Sequence, residues 1–178
     1  MFNVTDGGEY VTAALDILNR RGAKATFFVG GAWAERNEQL LITIYKGGHG
    51  VGNHGFFGRD LRRQNARQVR EELLAASNLI ERVLGEPPSI FAPPLGSFDR
   101  GLVETAASVG LSTIIWTHDT EDLRDQDARL IANRATSRLR AGDFVLMHPT
   151  AATVAALEDI LDRVAERGLR AVTVGELI

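Results

Sequence analysis

The stretch Lys24-Ala25-Thr26-Phe27-Phe28-Val29 is short, rich in aromatic and β-branched side chains, and apolar on both of its faces. A run of this kind is typical of a strand in a parallel sheet, because such strands are buried on both sides. The segment before it, Tyr10–Arg21, spaces its apolar residues along one stripe, as an amphipathic helix does. Together the two segments predict one unit of a fold in which helices and parallel strands alternate.

The same alternation continues along the rest of the chain. Asn65 and Gln68 form a capping-box pattern at the start of a helix that runs to Leu84, and Gly85 ends it. Polar residues suited to helix starts follow at Asp99, Asp127 and Thr150. The other predicted strands are Met1–Thr5, His49–Asn53, Ser89–Ala92, Ser112–Trp116, Asp143–His148 and Arg170–Val174.

Seven such units in a row imply parallel strands with right-handed crossovers. A barrel and an open doubly wound sheet both fit this pattern, and periodicity alone does not separate them. The chain has 178 residues, whereas a full eight-unit barrel has roughly 250. We therefore predict a single α/β domain over residues 1–178, a distorted and incompletely closed seven-unit (β/α) barrel.

Composition excludes several classes of function. The formal net charge is -3 and the basic residues do not form one long run, which argues against a nucleic-acid partner. There is no cysteine, so disulfides and thiolate metal sites are excluded. No apolar run approaches the roughly 20 residues that span a bilayer, and the start of the chain lacks the pattern of a signal peptide.

Chemically capable residues gather at the predicted ends of the strands, where both candidate folds place their active sites. Several acids and two histidines are among them, which is more than a purely structural barrel needs. These residues are Asp6, Gly30, His54, Pro93–Pro94, Asp119–Asp122 and His148.

Taken in order, these strand ends resemble the motifs of the polysaccharide deacetylases, also called NodB-homology domains or carbohydrate esterase family four. The matching stretches cover nearly the whole chain: Asn3–Gly7, Lys24–Val29, Gly48–Gly58, Phe91–Gly96, Trp116–Leu123 and Gly142–His148. The opening Phe2-Asn3-Val4 also resembles a sporulation-associated branch of the family.

The resemblance implies metal-assisted hydrolysis of N-acetyl groups on cell-wall or chitin-like glycans. In the family, one Asp and two His hold a divalent ion, a second Asp acts as the base, and a His protonates the leaving amine. By position, Asp6 and His54 match metal ligands. Asp122 and His148 match the catalytic acid pair.

Other positions depart from the family pattern. Gly58 stands where the second metal-binding His is expected, Thr5 where the base is expected, Ala92 in place of an orienting Arg, and Leu123 in place of a Trp. A catalytic zinc site usually keeps three protein ligands, and a general base contributes about 10²–10⁴ in rate. The resemblance therefore implies that a divalent metal, with zinc as the ion expected from the family, is bound weakly or not at all and that activity is impaired.

Two functions stay open on the sequence: a glycan deacetylase with a degenerate site, and a non-catalytic glycan-binding or scaffold domain. Either has an N-acetylglucosamine-containing glycan as partner, and the resemblance suggests the cell envelope or the extracellular space. The family spacing also predicts that Gly58→His alone recovers metal binding.

Simpler interpretations accompany each candidate. Asp6 can cap the first helix, and His54 can be a structural histidine, although their places in the motif order favour the site. His49 and His118 match no catalytic position and are interpreted as structural, with His118 kept as a candidate substitute ligand.

Overall fold

The computed structural model of the chain describes residues 1–178. Its seven strands are β1 (Phe2–Val4), β2 (Thr26–Val29), β3 (Gly50–Asn53), β4 (Ile90–Phe91), β5 (Ser112–Thr113), β6 (His118–Asp119) and β7 (Val145–Leu146). Its seven α-helices are α1 (Gly8–Arg20), α2 (Gly31–Arg36), α3 (Glu38–Lys46), α4 (Ala66–Leu84), α5 (Arg100–Ser108), α6 (Ala128–Thr136) and α7 (Ala151–Glu166).

All strand pairs are parallel, and the strands form two sheets arranged as parts of one barrel. The larger sheet has the order β1-β2-β3-β4-β5, and the smaller one pairs β6 with β7. A bridge between Phe2 and Met147 joins β1 to β7 on one side. On the other side, only residues 114–117 separate β5 from β6. The chain therefore encloses a distorted barrel with a gap in its hydrogen-bonded ladder.

The apolar clusters are those of a barrel. The neighbours Phe27 and Phe28 of β2 point to opposite sides and join different clusters. Phe27 packs with α1, α3 and α7 in the larger cluster, outside the strands. Phe28 packs in a small cluster with Ile90, Ala92 and Ile114 that draws no residue from any α-helix. An inner cluster formed by the strands and the residues next to them is the core of a barrel, which confirms the predicted α/β class with parallel strands.

One expected strand is wrong. Arg170–Val174 forms no strand pairing, although the Lys24 N–H donates to the Ala171 carbonyl (3.0 Å) and the Val174 N–H donates to the Thr26 hydroxyl (2.8 Å). The segment passes the start of β2 with these two isolated hydrogen bonds in place of a ladder, and it then turns into a short 3-10 helix. The seventh strand arises instead because the region predicted as Ser112–Trp116 continues into both β5 and β6.

The predicted helix ends are confirmed by their caps. The Asn65 side chain accepts from the Gln68 N–H (3.0 Å), and the Gln68 side chain accepts from the Asn65 N–H (3.1 Å), so the capping box of α4 is complete. Gly85 follows with a left-handed φ of 87°. The later caps are Asp99, Asp127 and Thr150. None of the helices has the length and hydropathy required to cross a membrane.

His49 is a structural residue just before β3. It is buried, its Nδ1 accepts a hydrogen bond from the Ala25 N–H (3.3 Å), and its ring packs edge-on against Phe27. Burial lowers the pKa of His49 to about 4, and the positive charge of Lys24 acts in the same direction. The native state therefore keeps this imidazole neutral.

We expect the free energy of unfolding to fall on acidification because of His49. Its folded pKa is about 4, and an unfolded histidine has a pKa of about 6.5. Unfolding therefore takes up a proton between these values, so the stability is fully present above about pH 6.5 and declines below it. The loss from His49 should be about 2 kcal/mol between pH 7 and pH 5. Urea denaturation at both pH values measures it, and His49→Gln should show a smaller fall. An NMR titration of His49 with a midpoint near 6.5 would contradict the prediction.

Candidate active site

The register of the sheet brings the ends of four strands to one level. Val4 pairs with Val29, Val29 with Asn53, and Asn53 with Phe91. The residues that follow these positions therefore form one row along the carboxyl-terminal rim of the barrel. This row consists of Thr5, Gly30, His54 and Ala92.

The loop after β1 meets the loop after β7. Gly7 has a φ of 72°, and a Cβ at this position would lie 2.5 Å from the Pro149 carbonyl oxygen. Only glycine allows this close approach without a shift of the backbone. Asp6 and His148, the residues before Gly7 and Pro149, are therefore carried to the same rim, and Asp6 is exposed to solvent there.

Asp122 and His148 form a tight pair. Asp122 Oδ1 accepts from His148 Nδ1 (2.8 Å), and Asp122 Oδ2 accepts from the His148 backbone N–H (2.6 Å). The Asp122 side chain is fully buried, whereas that of His148 is partly exposed. With Nδ1 bound to the carboxylate, Nε2 is the ring nitrogen of His148 that is left to hold a proton. The space at the rim bordered by Asp6, His54 and His148 is here called the groove.

A third donor to Asp122 comes from α7 and was missed by sequence reasoning. The buried Thr153 hydroxyl donates to Asp122 Oδ2 (2.6 Å) and also contacts the Thr150 hydroxyl (2.9 Å). Burial by itself would raise the pKa of Asp122, but the hydrogen bonds from His148 and Thr153 outweigh it and hold this pKa below its ordinary value. The carboxylate is therefore kept ionised and aimed at His148. The capping signal at Thr150 located this turn, but nothing in the spacing marked Thr153.

The loop that carries Asp122 is fixed by an arginine of α6. Arg134 pairs with Asp125 (2.6 Å) and Glu121 (3.0 Å), and it also donates to the Thr120 carbonyl (3.3 Å). Glu121, immediately before Asp122, has a left-handed φ of 53°, which is unusual for a residue other than glycine. The ion pairs of Arg134 thus hold the strained turn that directs Asp122 inward.

His54 is held in the form that a metal ligand needs. Its side chain is 5% exposed, and its Nδ1 lies 2.7 Å from the Ala92 carbonyl oxygen. A carbonyl only accepts, so Nδ1 carries the proton and Nε2 keeps a free lone pair. Burial lowers the pKa of His54 to about 4, the hydrogen bond to Ala92 opposes this, and the nearby charge of His148 adds to it. His54 and His148 are therefore close enough to influence each other.

A methyl group of Thr5 lies beside the position of the missing ligand. Gly58 has a φ of 67°, and a Cβ there would lie 2.8 Å from Cγ2 of Thr5. The same methyl would lie 3.4 Å from a Cβ at Gly30. Thr5 therefore packs into the space between two glycines, and a side chain at position 58 would meet both backbone strain and a steric clash.

The residues present do not fit a catalytic zinc ion. No group of three or more His, Asp or Glu side chains in the structure could hold a metal. Asp6 and His54 supply two protein ligands at most, whereas catalytic zinc usually has three. The expectation that Gly58→His alone restores binding stays a prediction, and it requires that Thr5 shift, since a Cβ at position 58 would lie 2.8 Å from Thr5 Cγ2.

At the two remaining departures from the family pattern, the site lacks the expected arginine and tryptophan side chains. Ala92 is fully buried in the inner cluster and presents no polar group. Leu123 is largely exposed beside Asp122.

His118 pairs with Asp143 (2.8 Å). It stands in register with Val145, which packs against the outer cluster, so His118 lies outside the barrel and the option of a substitute ligand is wrong.

A parallel (β/α) barrel with an aspartate–histidine pair and a buried neutral histidine at its strand ends has the architecture of a carbohydrate deacetylase domain. The sequence profile of the family described as polysaccharide deacetylase matches residues 1–114. This chain belongs to the polysaccharide deacetylase family, as a divergent member.

Two curated bacterial proteins are similar over almost the whole chain. The uncharacterized protein YlxY of Bacillus subtilis (strain 168) is 35% identical over 178 residues, which are 100% of this chain and 56% of YlxY. A peptidoglycan-N-acetylglucosamine deacetylase of Bacillus cereus is 31% identical over 175 residues, which are 95% of this chain and 82% of the relative. The chain thus spans little more than half the length of the first of these relatives.

A solved structure with the same fold is a CE4 family pseudoenzyme from Bacillus anthracis. The two chains superpose with a TM-score of 0.95 at 32% identity, over 99% of this chain and 63% of the pseudoenzyme. A mutant of that pseudoenzyme is described as having restored enzymatic activity. Among the similar proteins, nothing bears on the sporulation-associated branch, which stays a prediction.

Proposed function

We propose that this domain binds N-acetylglucosamine-containing glycans of the cell envelope and hydrolyses their N-acetyl groups poorly. The observation that carries the proposal is that Thr5 and Gly58 lie beside each other at the positions where the family has its base and its second metal-binding His. Asp6, His54, Asp122 and His148 are proposed to keep their inherited places around the groove. Zinc, the metal proposed for the site, is held weakly or not at all.

These residues can supply the acid of the reaction but not its base. His148, oriented by Asp122 (2.8 Å), can hold a proton for a leaving amine. Thr5 cannot take a proton from water near neutral pH, because its hydroxyl is far too weak a base. When bound, a divalent ion polarises the acetyl oxygen and acidifies water in such sites. With two candidate ligands in place of three, this contribution is small in the unmodified chain.

Metal content and acetate release test the proposal. Protein purified without a histidine tag should carry well under one equivalent of zinc by elemental analysis. Its acetate release from a chitooligosaccharide should lie about 10²–10⁴ below that of the Bacillus cereus deacetylase assayed in parallel. Full zinc occupancy together with comparable turnover would refute the impairment.

A non-catalytic glycan-binding domain is the second candidate. The likeness to a pseudoenzyme of the same fold favours it. Binding of a chitooligosaccharide without zinc and without detectable acetate release would select it over the impaired enzyme.

A further inference from the structure

We infer that Phe57 and Arg59 form a subsite for a carboxylate-bearing sugar at the edge of the groove, an inference that rests on the proposed glycan binding. The two side chains, here called the rim platform, belong to the loop after β3. Arg59 stacks over the Phe57 ring, with its guanidinium carbon 4.8 Å from the ring centroid. None of the candidate catalytic residues takes part in the platform.

The loop beneath the platform is held rigid. The Ala32 N–H donates to the Phe56 carbonyl (2.9 Å), and Glu72 accepts from the Phe56 N–H (3.0 Å) and the Phe57 N–H (3.3 Å). The Phe56 ring lies against Gly31, where a Cβ would come within 2.3 Å of it. The loop is thus tied to α2 on one side and to α4 on the other. A binding surface that is fixed in advance loses little entropy when a ligand docks.

Phe57 is directed outward by this anchoring. Its side chain is 55% exposed, although it is a large apolar residue. The Phe56 ring supports its edge at 4.8 Å, and Arg59 covers part of one face. An exposed aromatic ring held in place by its neighbours offers an apolar surface on which a sugar ring can pack.

Arg59 is free to receive an anion because the nearby carboxylates are already occupied. Asp60 pairs with Arg62 (3.8 Å) and Arg63 (3.5 Å), and Glu72 accepts from the backbone of the loop. Arg59 itself forms no ion pair in the structure. Its planar guanidinium, positioned by the ring, can donate hydrogen bonds to both oxygens of a carboxylate.

The platform stands next to the groove. Gly58 lies between its two residues and would touch Thr5 if it carried a side chain. A glycan that reaches Thr5 and His54 therefore passes the platform. A sugar with a carboxylate gains contacts to both Phe57 and Arg59, whereas a neutral sugar gains only the first.

Three oligosaccharides separate the alternatives on the full chain. They are tetra-N-acetylchitotetraose, an oligosaccharide of alternating N-acetylglucosamine and N-acetylmuramic acid, and the same oligosaccharide with its carboxylates amidated. The carboxylated form should bind about tenfold more tightly than the amidated form, as one charge-assisted contact implies. Arg59→Gln should abolish this preference and leave chitotetraose binding unchanged. Phe57→Ala should weaken all three.

Arg63→Gln is the matched control, since Arg63 is an exposed arginine of the same loop that already has a carboxylate partner. It should keep the preference. Equal binding of the carboxylated and amidated forms would overturn the inference, and so would loss of the preference in both Arg63→Gln and Arg59→Gln. In either case, binding of chitotetraose would still support the proposed function. If none of the three binds, both fail.

Discussion

The variant that combines Thr5→Asp, Gly58→His and Ala92→Arg is expected to release acetate from a chitooligosaccharide at least about 10³ times faster than the unmodified chain. The gain joins a general base, worth about 10²–10⁴, to a third metal ligand. His148 and Asp122 are already in place for the acid half (2.8 Å).

Each single change should raise the rate of acetate release very little, because the three positions depend on one another. Gly58→His alone places a side chain at a φ of 67° and against the Thr5 methyl, so it should lose stability, and the zinc it binds should support little turnover without a base. Ala92→Arg alone buries a charge without a partner inside the barrel. Thr5→Asp alone leaves no metal-bound water to deprotonate. Strong non-additivity of this kind is usual for residues that act as a unit.

Acetate release with and without added zinc measures the effect. The matched control is the same triple variant with Gly58→Ala instead of Gly58→His, which adds a Cβ without an imidazole and should stay inactive. If the unmodified chain already equals the triple variant, other residues have rebuilt the site and the proposed impairment is wrong.

Asp122→Ala is expected to lower the free energy of unfolding by about 3–5 kcal/mol at pH 7. The change removes a fully buried carboxylate that accepts three hydrogen bonds, two from His148 and one from the hydroxyl of Thr153. Thr153→Val removes only one of these contacts and should cost about 1–2 kcal/mol. The double change should cost less than the sum, since both act on the same group.

Chemical denaturation of the purified variants checks this ranking. Asp16→Ala is the control, because Asp16 is an exposed residue of α1 and its loss should change the stability by less than about 0.5 kcal/mol. A cost for Asp122→Ala no larger than that of Asp16→Ala would show that the pair does not support the fold.

Local rules carried much of the fold. The capping box at Asn65, the glycine stop at Gly85 and the later caps depend on neighbours within a few residues, and the sequence contains both partners. Arg170–Val174 failed because pairing of a strand depends on a distant edge, and β7 already occupies the edge of β1. Strand propensity alone does not reveal that the edge is taken.

The sequence pointed to four candidate site residues but gave no signal for the residues that hold them in place. Asp6, His54, Asp122 and His148 were found because each follows a strand and matches a motif. Their catalytic and metal-binding roles stay proposals. Thr153 and Arg134 act across long separations in the chain, from helices that carry no family motif, so spacing gave no signal for them. The contact of Thr5 with Gly58 depends on loop geometry, which residue identity does not reveal.

The division of the barrel into two sheets has a consequence for how such a domain changes over generations. The acid pair sits on the β6–β7 sheet and α7, while Thr5, Gly58 and Ala92 sit on the larger sheet and its loops. The Asp122 carboxylate finds its side-chain partners in His148 and Thr153 alone, so changes at Thr5, Gly58 and Ala92 leave the hydrogen bonds of the acid pair intact. A lineage can therefore lose the deacetylation reaction while the fold is kept. Its groove can then evolve to bind a different ligand.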